Sequence, residues 1–206
     1  TITITGGNTG TSTLDPKDVS PTALTFSNGN LTITGGSGVT AGTRSTLPRT
    51  GKRCYEVTLN LLVSGSFSMG VGNGPASLNH YAGYDTYSVA YESSNNGFFS
   101  NNGGDISLGG TVAINDVYDL CMDSANDDIW IRRNNGNWNN NASANPATDV
   151  GGTGTVLRDS ESTSTGQIYK LPIYAIVSAT NLSQITVNFG ATAFTYSMPA
   201  GFSAWQ

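Results

Sequence analysis

Apolar and β-branched residues recur at every second position through most of this chain, in RCYEVTLNLLV (53–63), SFSMGVG (66–72), YSVAYES (87–93), VYDLCMD (117–123) and DIWIRR (128–133). The same period marks ALTFSN (23–28), GNLTIT (29–34), LPIYAIVSA (171–179) and QITVNFG (184–190). Alternation over four to eight residues predicts strands with one face in a core. Between the runs stand Gly, Asn and Pro. FSNGNL, ESSNNG and RRNNGNW each carry an Asn-Gly pair, which tolerates the positive φ of tight turns, and the pattern predicts hairpin tips there. No window holds an apolar stripe of helical period beyond about one turn, because Gly and Pro interrupt it. The fold class is all-β, a sandwich or a barrel.

Composition sharpens this picture. A chain of 206 residues with 37% apolar content buries one good core, and 9 Tyr, 7 Phe and 3 Trp argue against disorder. Charged residues are only 11% of the chain while Gly reaches 26, so neutral hydrogen-bonding groups must cover much of the surface. Net charge is -5, and the basic residues fall in pairs such as Arg132 and Arg133 instead of a stripe, which argues against a nucleic-acid partner. No apolar run approaches the roughly 20 residues of a membrane span, so no membrane insertion is expected. The start, TITITGGNTG, has neither the basic nor the apolar part of a signal peptide, and without an initiator Met it reads as trimmed or cut from a longer chain. Residues 1–13 read as an N-terminal strand or linker, and residues 14–206 as one domain.

Cys54 and Cys121 each lie in an alternating segment. Buried free thiols are the first reading and a cross-strand disulfide the alternative. The stretch from Asn139 to about Gln167 is Asn, Ala, Ser, Thr and Gly, longer than connections usually run, and is expected to be a mobile or functional loop.

Several runs, taken in order, resemble one family. LTFSNGNLTIT, GKRCYEVTL, FSMGVGN, YSVAY with GFFSNNG, the segment VYDLCMDSANDDIWIRRNNGNW, LPIYAIVSATNLSQITVNFG and MPAGF together resemble a SPRY domain, most closely the versions carried by bacteriophage and bacterial structural proteins. The resemblance spans roughly Leu14 to Trp205. It implies a bent two-sheet antiparallel β-sandwich of concanavalin-A-like topology that is mostly non-catalytic and recognises proteins or glycans through loops at one edge. It also implies that Phe202 and Trp205 close the sandwich against the N-terminal segment. Function in such sandwiches resides in what the loops present.

In DSANDD the density of Asp and Asn suits a strand-reversing turn, since their side chains accept backbone N–H groups two residues on. A calcium site of Asp123, Asn126, Asp127 and Asp128 lacks the Gly and distal Glu of the twelve-residue calcium loop. Glu56, Glu92, Asp119 and Asp123 are the carboxylates a glycosidase would draw on, with nothing in the sequence to set them facing across a cleft. Glu56 is expected on a polar face or beside an Arg. His80 is the only histidine, and no GxSxG elbow presents a serine, so hydrolase triads and multi-histidine metal sites fall away. The Gly-rich pieces lack the Lys-Ser/Thr pair of a phosphate cradle. No catalytic residue, metal or cofactor is expected.

Recognition by so uncharged a surface would rest on aromatic platforms flanked by amides. Tyr81, Tyr84, Asp85 and Tyr87 crowd one loop beside His80, and Asn137 and Trp138 lie in a second. The two loops together are the expected recognition face. The leading expectation is a non-catalytic domain of a phage tail fibre or virion surface protein, binding a host surface glycan or protein. A structural or decoration module contacting other virion subunits, with homo-oligomerisation or strand addition by TITIT, is the second reading; a carbohydrate-active enzyme or its accessory module is the third. Localisation is expected on the virion or outside the cell.

Overall fold

The computed structural model describes residues 11–20, 24–94, 96–100, 103–154 and 172–206. Expectations placed on TITIT and on residues 155–167 of the long segment lie outside the described residues. Two sheets account for the strands, which are numbered in chain order. Across the first sheet lie β1 (Leu14–Val19), β4 (Thr40–Ser45), β13 (Tyr174–Thr180), β6 (Phe67–Gly72), β7 (Ser88–Glu92), β8 (Gly97–Ser100) and β9 (Gly103–Ser107). Across the second lie β12 (Thr153–Gly154), β11 (Asp128–Arg133), β10 (Val117–Asp123), β5 (Lys52–Leu61), β14 (Gln184–Asn188), β3 (Thr32–Gly35) and β2 (Leu24–Ser27), with β15 (Ser203–Ala204) beside β5. Every pairing is antiparallel except the short β15–β5 ladder. The architecture is all-β, as the alternation predicts, and of the sandwich and the barrel it is the antiparallel sandwich that the resemblance implies; no helix among the described residues is long and apolar enough to cross a membrane.

Alternation decides what faces inward. Tyr55, Val57 and Leu59 of β5 and Tyr118, Leu120 and Met122 of β10 meet Phe67, Met69 and Val71 of β6, Tyr91 of β7 and Val177 of β13 in one apolar core. The buried Tyr55 hydroxyl donates to the Gly70 carbonyl at 2.6 Å, so its burial leaves no orphan donor. Trp205, fully buried, lies edge-on to Tyr55 at 5.6 Å, and its indole N–H reaches Ser45 Oγ and the Leu47 carbonyl at 3.3 Å. Phe202 parts from it and packs outside the second sheet with Trp130.

The central strands are buried on both faces: β6 and β10 are buried at every position. A second cluster of Cys54, Cys121, Trp130 and Phe202 therefore covers the outer side of the second sheet, with Trp138, Ala144 and Phe194 against it. A third, of Ala76, Ala82, Ala90 and Ile176 with Leu78 and Tyr87, covers the outer side of the first.

Three expectations are corrected. The cysteines are not free thiols: Cys54 and Cys121 are directly opposed in the β5–β10 ladder, on the same face, and form a disulfide. Their separation of 67 residues hid a neighbourhood that only strand register creates. Of the three expected hairpin tips, Asn28–Asn30 and Asn96 join paired strands, whereas Asn134 and Asn135, at φ 50° and 58°, turn the chain away from β11 onto the outer face of the second sheet. Finally, the near half of the long segment is folded. Asn139 buries its side chain, accepting from the Ile131 N–H at 2.8 Å and donating to the Gly151 carbonyl at 2.9 Å; Trp130 donates to the Val150 carbonyl at 3.0 Å, and β12 pairs with β11.

The disulfide closes a loop of 67 residues and, at the magnitude typical of such bonds, contributes about 2–4 kcal/mol. Replacing both cysteines by serine is expected to lower the urea midpoint correspondingly while leaving the far-ultraviolet spectrum in place. Quantitative thiol labelling of unfolded, unreduced protein checks the bond itself, and two reactive thiols there would refute it.

Candidate functional site

The connection from β6 to β7, residues 73–87, folds back over the outer face of the first sheet because polar anchors hold it there. Arg44, buried in β4, donates to both carboxylate oxygens of Asp18 at 2.6 Å, to the Gly74 carbonyl at 2.7 Å and to the Ala76 carbonyl. Asp85 organises the loop from inside: one oxygen accepts the Ser77 N–H at 2.6 Å, the other the Tyr87 N–H at 2.9 Å and the Ser88 hydroxyl at 3.2 Å. The Ala82 N–H donates to Ser68 Oγ and the Gly83 N–H to Ser88 Oγ, both at 2.9 Å, while the Leu78 carbonyl accepts from Gly42 at 2.8 Å. The bonds made by Arg44 and Asp85 are charge-assisted and so among the stronger ones available.

Fixed in this way, the loop presents an aromatic group to solvent. His80 and Tyr84 stack with centroids 3.8 Å apart and planes within 12°, and Tyr81 stands edge-on to Tyr84 at 5.6 Å. His80 is exposed and Tyr84 is 40% exposed. Burial, then the nearby charge of Glu92 and the Tyr84 phenol, push the Tyr81 phenol upward, so at neutral pH it is a protonated hydroxyl. Tyr87 is half-buried against the outer apolar cluster and Asp85 is occupied inside the loop, so of the four residues expected here Tyr81 and Tyr84 carry the platform. His80, the only histidine, was not among the residues expected to form the recognition face. Its place depends on the turn between His80 and Tyr84, where the Tyr84 N–H donates to the Tyr81 carbonyl at 3.2 Å.

The expected union of this loop with Asn137 and Trp138 does not form. Trp138 is half-buried on the outer face of the second sheet, on the opposite side of the sandwich, with the Arg132 guanidinium 4.4 Å from its ring centroid. Asn137 beside it is exposed.

The carboxylates serve the fold. Glu56 is buried instead of lying on a polar face or pairing with an arginine, and it accepts the Thr195 N–H at 2.7 Å and its hydroxyl at 3.1 Å. Asp119, its cross-strand neighbour, accepts from Arg132 at 2.7 Å, and Arg132 in turn donates to the Ser197 carbonyl at 2.9 Å. Both carboxylates thus lie beneath the C-terminal segment. Glu92 belongs to the other sheet and accepts from the Ser94 hydroxyl at 2.6 Å. At the β10–β11 turn Asp123 accepts the Ala125 N–H two residues on at 3.0 Å and the Asn126 amide at 3.1 Å, while Asp127 supplies the positive φ of 61°. Among the described residues no group of three or more His, Cys, Asp or Glu is gathered to hold a metal.

The architecture has counterparts among solved structures. The SPRY domain of human HERC1 matches with a TM-score of 0.60 and 13% identity over 87% of this chain and 99% of that one. Another human SPRY domain matches at 0.60 and 15% identity over 85% and 99%. The fold is that of a SPRY domain. Stonustoxin matches too, at 0.57 and 15% identity, over 86% of this chain and 27% of its own. No family model matches the sequence, and no curated protein does. At such identities the likeness is one of SPRY architecture, and the phage or bacterial version expected from the sequence draws no support from these structures.

Burial pushes the Asp119 carboxyl up from 3.8 to about 6, with Glu56 adding to the rise and Arg132 opposing it. A raised folded-state value means that the carboxyl favours the fold fully below about pH 4 and loses that contribution as pH climbs through about 6, a change of about 3 kcal/mol at most. Urea midpoints measured from pH 4 to 7 are expected to fall across this window in the wild type and to flatten in Asp119→Asn. An unchanged slope in the variant would refute the assignment.

Proposed function

We propose that this SPRY-fold domain is a non-catalytic recognition module that docks a protein surface, or the glycans covering one, through the β6–β7 loop. The observation that carries this reading is the His80–Tyr84 stack flanked by Tyr81, exposed on a loop whose backbone is pinned by Arg44 and Asp85. Rigid aromatic side chains give large amphipathic contact at little entropic cost, and a preorganised loop loses little more on binding. The glycosidase reading is weaker, because Glu56 and Asp119 spend their oxygens on protein donors beneath the C-terminal segment.

A place outside the cell, as on a virion or tail fibre surface, is supported by the disulfide, which persists in oxidising surroundings, and by a sequence with few charges. Glycan arrays and immobilised surface-protein panels supply the test. A ligand held by the wild type is expected to bind at least tenfold more weakly to Tyr84→Ala and to His80→Ala, with melting temperatures within a few degrees of the parent. Trp138→Ala is expected to leave binding intact. A ligand retained equally by wild type and a Tyr81/Tyr84 double alanine variant would move recognition away from this loop.

A further inference from the structure

The β6–β7 loop is held in two halves. Residues 82–87 are fixed by Ser68, Ser88 and Asp85, which belong to the middle of the first sheet or to the loop itself. Residues 74–79 depend instead on β1, the edge strand of that sheet, and its neighbour β4. Both carboxylate oxygens of Asp18 in β1 accept from Arg44, which donates in turn to the Gly74 and Ala76 carbonyls. Ser20, directly after β1, donates its hydroxyl to Asn79 Oδ1 at 2.9 Å and its N–H to the Gly42 carbonyl at 3.2 Å. The Gly42 N–H donates to the Leu78 carbonyl at 2.8 Å.

The aromatic stack spans the two halves, because His80 follows Asn79 directly while Tyr84 follows Ala82 and Gly83. Its geometry therefore depends on a strand that is itself loosely laddered. Leu14 to Val19 lies opposite only Ser45 to Thr43, and Pro16, which has no N–H to give, falls inside that irregularity. Arg44 is buried, and Asp18 is its one ion-pair partner among the described residues. A β1 that lifts away leaves this guanidinium with carbonyls alone, a costly state that it escapes only by releasing Gly74 and Ala76 and turning to water. Ser20 leaves with the strand and frees Asn79, the residue beside the stacked histidine.

We propose that β1 is a latch on the recognition loop: Asp18 and the adjoining Ser20 position residues 74–80, and lifting of the edge strand from β4 draws His80 off Tyr84 and weakens ligand binding. The control of binding rests on the β6–β7 loop being the contact surface, whereas the coupling of strand to loop does not. Local opening is cheapest where few ladder bonds and few buried contacts are lost, and an edge strand is such a place. A loop released in this way has to be ordered again when the ligand docks, which lowers affinity with no contact residue changed. Leu14, fully buried in the core, anchors the entry to the strand and keeps the latch closed at rest. Displacement of the chain ahead of Leu14, by load or by a competing contact, opens it.

Nuclear magnetic resonance of the full chain tests the latch, because His80 is the only histidine and its imidazole protons, shifted by the Tyr84 ring, give a single set of signals. Asp18→Ala, and Ser20→Ala as the milder change should the first fail to fold, are each expected to move those signals toward an unstacked histidine. Both are expected to speed amide exchange at Gly42 and Ser77 at least fivefold while leaving Leu120 and Ile131 of the second sheet unchanged. Lys17→Ala, exposed in the same strand, is expected to alter none of these. A ligand held by the wild type is expected to bind the Asp18 and Ser20 variants at least fivefold more weakly. Imidazole signals and exchange rates that stay at wild-type values in both variants would overturn the latch. A ligand weakened by Tyr84→Ala but by neither latch variant refutes its control of binding, whereas one that Tyr84→Ala leaves bound refutes the contact surface itself.

Discussion

The constraint on which this molecule depends is that its central strands have no free face. A sandwich needs only one apolar face per sheet, yet β6 and β10 are buried at every position and β7 likewise. Ala90 and Ile176 on one side and Cys54, Cys121 and Trp130 on the other point away from the shared core and still must leave water. Each sheet therefore needs a cover, and the long connections supply it. The β6–β7 loop covers the first sheet, and residues 134–153 with the C-terminal segment cover the second. Burying apolar area in a cover is favourable at roughly 25 cal/mol per Å², but an irregular segment also brings backbone groups that need partners.

Those partners are where the scarce charges are spent. Arg44 with Asp18 ties down the start of the β6–β7 loop, Arg132 with Asp119 reaches the C-terminal segment, and Lys52 lies 3.5 Å from Asp123 at the β10–β11 turn. Pairs exposed on a surface contribute little, whereas guanidiniums buried among carbonyls cannot lose a partner without leaving a desolvated charge. The candidate recognition loop is consequently rigid at its base, and its aromatic tip is free of that duty.

Much of the architecture was legible because alternation of large side chains is a direct consequence of the pleat. The runs at 53–63, 66–72, 117–123 and 128–133 became β5, β6, β10 and β11. Strands without that contrast were illegible. β4, TAGTRS, is small residues and one arginine, buried at every position but Thr40, and β1, LDPKDV, carries a proline and three charges at a sheet edge. The site was legible only in part. Aromatic density marked the loop where His80 and Tyr84 stack, and the Asp and Asn of DSANDD marked the β10–β11 turn, but which side of the sandwich a loop folds onto depends on strand order. Neither the separation of Trp138 from Tyr84 nor the meeting of Cys54 with Cys121 has a local signal.

The same dependence on covers explains why this fold leaves function open. The cross-strand core of Tyr55, Phe67, Tyr91, Tyr118 and Trp205 is indifferent to the rings at positions 80 and 84, because the anchors Arg44, Ser68, Asp85 and Ser88 act on neighbouring backbone or on each other. Side chains at positions 80 and 84 are thus constrained by solvent and by one another, while Tyr81 is half-buried beside them and feels the charge of Glu92. A His-Tyr stack is one of few ways to keep aromatic area ordered under that freedom, since each ring shields a face of the other while their remaining faces and edges stay available. Selection for folding alone does not require it, and this is the physical ground for reading the loop tip as a contact surface.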